Sequence, residues 1–188
     1  MTTTTDSKSS SLELYVRTMA GMGVLFPRLV LAAGQETRGT ALPARYERGR
    51  QRMCYANAAQ LALGEPGLLY CEGYAVSSEM PLALHHAWCL TPNGEVVDPT
   101  WERSDRCVYL GIAYARAFCL EHWQEEGVFD VWAEMPRVST VRRPFEAILD
   151  PGRVRDLAAV RAIDAEPMVM QARRDALLVV DDDAPEPS

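Results

Sequence analysis

Apolar residues first fall into a helical rhythm at Leu12, Tyr15, Met19 and Met22, spaced three and four apart, with Ser11 in capping position. The pattern predicts a helix from Ser11 that Pro27 breaks or kinks and Gly34 ends. Residues 35–52 are polar, with one proline and two glycines, and read as a loop. Good helix formers then run from Cys54 to Leu63, stopped by Gly64 and Pro66.

From there the rhythm shortens to that of strands. Leu68–Ser77, His86–Leu90 and Val96–Val97 are separated by Pro81 and by the turn sequence Thr-Pro-Asn-Gly, and read as an antiparallel meander after one helix. Cys107–Ile112 is a further strand, Ala113–Glu126 a second helix ended by Gly127, and Val128–Trp132 a last short strand. Residues 133–150 read as mostly irregular, and 153–163 and 168–180 as helical. This organises the chain as a disordered segment 1–10, one domain over 11–150, a peripheral helical extension over 151–180 and a disordered acidic tail, 181–188.

At 188 residues the chain is long enough for one domain with its own core. A net charge of −7 argues against nucleic acid or an anionic membrane surface as partner. The arginine cluster at 142, 143, 153 and 155 is read as a solvated face. No stretch is apolar enough to span a membrane. The first residues, MTTTTDSKSS, lack the basic and apolar regions of a secretory leader, so reduced thiols in a cytoplasm are expected. The five cysteines form no C-x-x-C pair, and Cys119 with His122 lacks two further ligands, so neither a metal nor another cofactor is expected.

The chemistry concentrates between Cys54 and Trp101. A cysteine opening a helix meets unpaired backbone N–H groups and the positive end of the dipole, which favour a negative sulfur and a developing oxyanion. Arg45, Arg48, Arg50 and Arg52 make the approach to it basic. A thiol nucleophile needs an imidazole, and the chain has His85, His86 and His122. Neighbouring strand residues point to opposite faces, so only one of His85 and His86 is available to Cys54. A carboxylate to orient the ring is offered by Asp98, twelve residues beyond His86 across a turn, with Glu95 and Asp105 as competitors.

The order and context of these residues resemble the transglutaminase-like core of the papain-like cysteine protease superfamily. The likeness rests on Cys54 opening a helix, Gly73-Tyr74 on a strand, His86-Ala87-Trp88 and Asp98-Pro99-Thr100, about fifty residues in all. It implies an α+β fold with the cysteine helix packed on an antiparallel sheet, and a Cys54–His86–Asp98 triad. It implies a hydrolase or acyltransferase acting on the amide bond of a protein, peptide or small molecule. The alternative is a binding protein that keeps the fold without the reaction, and a weaker one is a cell-wall peptidase of the NlpC/P60 type. The chain departs from the family in having no calcium-loop motif and no Gly-x-Cys before Cys54, so Gln51 is considered as oxyanion donor. Tyr74, Trp88 and Trp101 are candidate cleft-lining aromatics.

Overall fold

The computed structural model describes residues 4–132 and 138–178. It is a mixed α+β structure built on a five-stranded antiparallel sheet. Helices α1 (Thr4–Gly21) and α2 (Leu25–Ala33) come first, then β1 (Gln35–Arg38), α3 (Cys54–Gly64), β2 (Leu69–Ser77), β3 (Leu84–Leu90), β4 (Val96–Val97) and β5 (Cys107–Ala113). Five helices follow: α4 (Arg116–Glu126), α5 (Val138–Arg142), α6 (Phe145–Ile148), α7 (Leu157–Asp164) and α8 (Pro167–Leu178). The strand order is β1-β5-β2-β3-β4, so β2 to β4 form the expected meander and β5 returns to the other side of β2.

Several expectations shift. The first helix starts at Thr4, ahead of Ser11, and stops not at Pro27 but at Gly21, in front of a turn in which Gly23 takes a φ of 84°, a conformation glycine adopts freely. Pro27 lies in the first turn of α2, where its missing N–H has no intrahelical partner to lose. Residues 35–38 are an edge strand paired with Leu110 and its neighbours, because the ladder of β5 supplies partners that their polar side chains do not announce. Val128–Trp132 is not a strand: the N–H groups of Val131 and Trp132 are taken by the Glu72 carboxylate, at 2.5 and 2.9 Å. Short helices α5 and α6 occupy part of the stretch read as irregular. The acidic tail lies outside the described residues.

Alternation along the strands sorts the core into two clusters. Tyr70, Tyr74 and Val76 of β2, Ala87 and Cys89 of β3, and Val108, Leu110 and Ile112 of β5 join the helices in the larger one. Cys71, Ala75, Trp88, Leu90, Tyr109 and Ala113 form a smaller cluster on the opposite face. The C-terminal helices belong to the larger: α7, capped by Asp156 accepting from the Ala159 N–H at 2.9 Å, buries Val160 and Ile163 there. Three of the four clustered arginines are ties rather than a solvated face. Arg142 donates to the Ala176 carbonyl, Arg143 pairs with Glu121, and Arg153 reaches the carbonyls of Thr91 and Pro92.

Gly73 and Gly111 face each other across β2 and β5. A Cβ on Gly111 would come within 2.4 Å of both the Glu72 carbonyl oxygen and the Trp88 ring. Gly111→Ala is therefore expected to cost about 1–3 kcal/mol of stability by overpacking. Urea denaturation of the variant against the parent chain measures it; an unchanged midpoint would show that the sheet yields there.

Candidate active site

Helix α3 packs on β2 and β3 and brings its first residue, Cys54, to the edge of the sheet. That edge is open because β4 is only two residues long and pairs with Cys89 and Leu90, leaving Leu84–Trp88 without an outer strand. The first helical hydrogen bond runs from the Asn57 N–H to the Met53 carbonyl at 2.8 Å. Met53 provides no side-chain cap, so no cap side chain competes for the amides of the first turn.

His85 and His86 point apart, as strand geometry requires. His85 packs on Tyr74 and Phe26 of the larger cluster, with ring centroids 4.4 and 5.8 Å away. His86 turns the other way, is buried, and hydrogen bonds through Nε2 to Asp98 Oδ2 at 2.8 Å. Its ring also lies close enough to the Cys54 side chain for the sulfur to favour the charged imidazole. With Nε2 held by the carboxylate, Nδ1 is the ring nitrogen left for the sulfur. His122 takes no part: it is buried in α4 with Nε2 2.7 Å from the Asp130 carbonyl oxygen.

Asp98 is fully buried and all its acceptor capacity is directed. Oδ1 accepts from the N–H groups of Thr100 at 2.8 Å and Trp101 at 3.2 Å. Oδ2 accepts from His86 and from the Tyr109 hydroxyl, each at 2.8 Å. Burial pushes this carboxyl up, but the hydrogen bond and charge of His86, with the Thr100 and Tyr109 donors, outweigh it and hold it below its usual range. For His86 the balance is similar. Burial favours the neutral ring, yet the bond to Asp98, the nearby Cys54 sulfur and the charges of both raise the imidazole to about 9. Glu95 and Asp105 are outside this network; the side chain of Asp105 lies 3.8 Å from Arg103.

The loop before Cys54 is fastened to the turn after Asp98. Asn57, on the first turns of α3, donates to the Arg50 carbonyl at 2.7 Å and to Thr100 Oγ1 at 2.9 Å, and accepts from the Arg50 N–H at 3.2 Å. The Gly49 N–H reaches the Pro99 carbonyl at 2.9 Å, and there is no room for a Cβ on Gly49, which would lie 2.2 Å from Asn57. Arg48 donates to the carbonyls of Trp101 and Glu102 at 2.6 and 3.1 Å. The bonds to Thr100, Pro99, Trp101 and Glu102 set Cys54 and Asp98 relative to each other by joining residues 43 to 54 positions apart in sequence.

The candidate aromatics separate. Trp101 stacks on the His86 ring with centroids 4.2 Å apart and lines a cleft of about 530 Å³. Gln51 lines the same cleft, exposed on the turn that precedes Cys54. Tyr74 and Trp88 do not reach it. Tyr74 is buried on the far face of the sheet against Tyr15, Phe26 and His85, and Trp88 is buried beneath Tyr109 in the smaller cluster. Alternation decides this for Tyr74, which sits opposite His85 in the β2–β3 register. Sequence reading missed Tyr109 and Asn57: one is an ordinary strand tyrosine and the other an ordinary helix residue until the fold places them.

Among the five cysteines, Cys54 alone is partly exposed. Burial pushes the thiols of Cys71, Cys89 and Cys119 well above the ordinary cysteine range. Among the described residues no group of three His, Cys, Asp or Glu side chains could hold a metal ion, and no helix is long and apolar enough to cross a membrane. Compared with known proteins, the chain matches no family model, no curated protein and no solved structure.

Proposed function

We propose that this protein is a cysteine-dependent hydrolase or acyltransferase that cleaves an amide bond through a Cys54–His86–Asp98 triad, in a transglutaminase-like variant of the papain-like fold. One observation carries the reading: the partly exposed cysteine stands at a helix start, close enough to a buried histidine to shift its titration, and a buried carboxylate holds one nitrogen of that histidine. His86 takes the Cys54 proton, and the sulfur attacks the carbonyl carbon. The oxyanion that forms is stabilised by first-turn amides of α3, and Gln51, exposed on the turn before Cys54, is a further candidate donor. Collapse of the intermediate breaks the C–N bond, and the leaving amine takes the proton from His86. The remaining thioester is attacked by water or by an amine that gives its proton to His86, and the C–S bond breaks to return the thiol group. Asp98 keeps the ring oriented throughout, and its bond to Tyr109 keeps Asp98 itself in place.

Alkylation by iodoacetamide at pH 7 tests the reading. Cys54 is expected to react faster than glutathione, a stricter reference than the four buried thiols, and His86→Ala to slow it at least about ten-fold. A Cys54 no faster than glutathione, or labelling indifferent to His86, would remove the nucleophile and leave a protein that binds without reacting.

A further inference from the structure

The cleft is lined by neither Cys54 nor His86 but adjoins them through Trp101, which stacks on His86, and through Gln51 and Arg52 just before Cys54; its walls come from the turn before α3, from the β2–β3 connection and from Thr100–Arg103. Trp101, stacked on His86, and Leu84 give it apolar surface next to the imidazole. Its charge runs against that of the chain. The protein as a whole carries −7, whereas the cleft is lined by three guanidinium groups, Arg48, Arg52 and Arg103, and two carboxylates, Glu79 and Glu102. Two of the arginines are engaged, Arg48 on backbone carbonyls and Arg103 beside Asp105. Arg52 has no hydrogen bond or ion pair among the described residues.

Arg52 is also the only non-glycine residue with positive φ among the described residues, at 62°, two positions before Cys54. A side chain at this left-handed position strains the backbone where glycine would not. The turn by itself asks for no arginine; the guanidinium lining the cleft gives one a use. A single free guanidinium matches one planar carboxylate, and the Glu79 and Glu102 carboxylates oppose the higher charge of a phosphate dianion.

We propose that this cleft is the specificity subsite of the reaction inferred above. It takes an amide substrate that bears a carboxylate near the bond to be cleaved, with Arg52 binding the carboxylate and Trp101 and Leu84 the apolar stem. The inference rests on that reading of Cys54, and the test separates the two. Cys54 is alkylated with N-iodoacetyl-glutamic acid α-amide and, in parallel, N-iodoacetyl-glutamine α-amide, which differ only in the side-chain carboxylate. In both, the Sγ–C bond forms as the C–I bond breaks and iodide leaves with the electron pair.

Normalised to glutathione, the carboxylate reagent is expected to label Cys54 about three- to five-fold faster at low salt, the advantage fading as salt rises. In Arg52→Gly the ratio falls to about one, while the melting temperature holds or rises because the backbone strain is gone. A ratio near one in the parent chain, or one that survives in Arg52→Gly, overturns the proposal with Cys54 chemistry intact. So does an Arg52→Gly that melts lower and slows both reagents equally, since Arg52 would then serve only the turn. If neither reagent labels Cys54, the reading of the active site fails and the subsite falls with it.

Discussion

Asp98→Ala is expected to lower stability by about 3–5 kcal/mol, the usual cost of removing one partner from a buried ion pair. The loss has a specific inventory. The His86 ring would keep its place with no carboxylate beside it, and the Tyr109 hydroxyl and the Thr100 and Trp101 N–H groups would lose the acceptor they share. Asp98→Asn keeps the volume and removes the charge, so it distinguishes folding from chemistry. Its stability should fall less, while alkylation of Cys54 slows on the order of 100-fold because the amide no longer supports a charged imidazole. Tyr109→Phe removes one of the four donors and should cost only about 1 kcal/mol. Chemical denaturation and alkylation kinetics on the three variants give both readouts. Parent-like alkylation in Asp98→Asn would make the carboxylate a purely structural group.

Stability should be greatest near pH 4–5 and fall steadily towards pH 9. Two buried groups drive this, and the sign is the same for both. Burial raises the Glu72 carboxyl from an ordinary 4.5 to about 7, against the bonds from Val131, Tyr70 and Trp132 that favour its charged form. The folded chain therefore holds a proton that the unfolded chain has released, and that contribution is lost as pH rises from 4.5 through about 7. His86 is raised from 6.5 to about 9, so its contribution is complete below 6.5 and lost as pH rises through about 9. At 1.36 kcal/mol per pH unit, each window amounts to roughly 3 kcal/mol at most. Asp98 acts in the opposite direction and lower down. Its depressed carboxyl contributes above 3.8 and the contribution goes as pH falls through its folded value. Urea midpoints between pH 3 and 9 measure the curve. Glu72→Gln should flatten it between pH 4.5 and 7 without touching the alkaline limb. A curve of the same slope in that variant would place the titrating group elsewhere.

Glu72 also shows why one segment escaped the sequence. Val128–Trp132 has the composition of a strand, and β-rich composition is a statement about side chains only. What its backbone does depends on where its N–H groups find acceptors, and a carboxylate on β2, sixty residues earlier, takes two of them. The reverse holds at Gln35–Arg38, whose polar side chains do not suggest a strand but whose backbone pairs with β5. Pro27 belongs with these: a proline ends a helix in the interior and is harmless in the first turn, and the position of Gly23 settles which applies.

The local arrangement of the site was open to reading because each part depends on neighbours in the chain. A run of good helix formers puts Cys54 at a helix start, and Thr91-Pro-Asn-Gly94 turns the chain so that Asp98 comes back beside His86. Alternation along a strand by itself separates His85 from His86. Which of the two faces the cysteine, that Tyr74 lies with His85 and away from the cleft, and that Tyr109 and Asn57 complete the network are matters of strand register and of helix-to-sheet packing. Those depend on hydrogen bonds and contacts between residues tens of positions apart, and a one-dimensional pattern of apolar and polar residues carries no term for them.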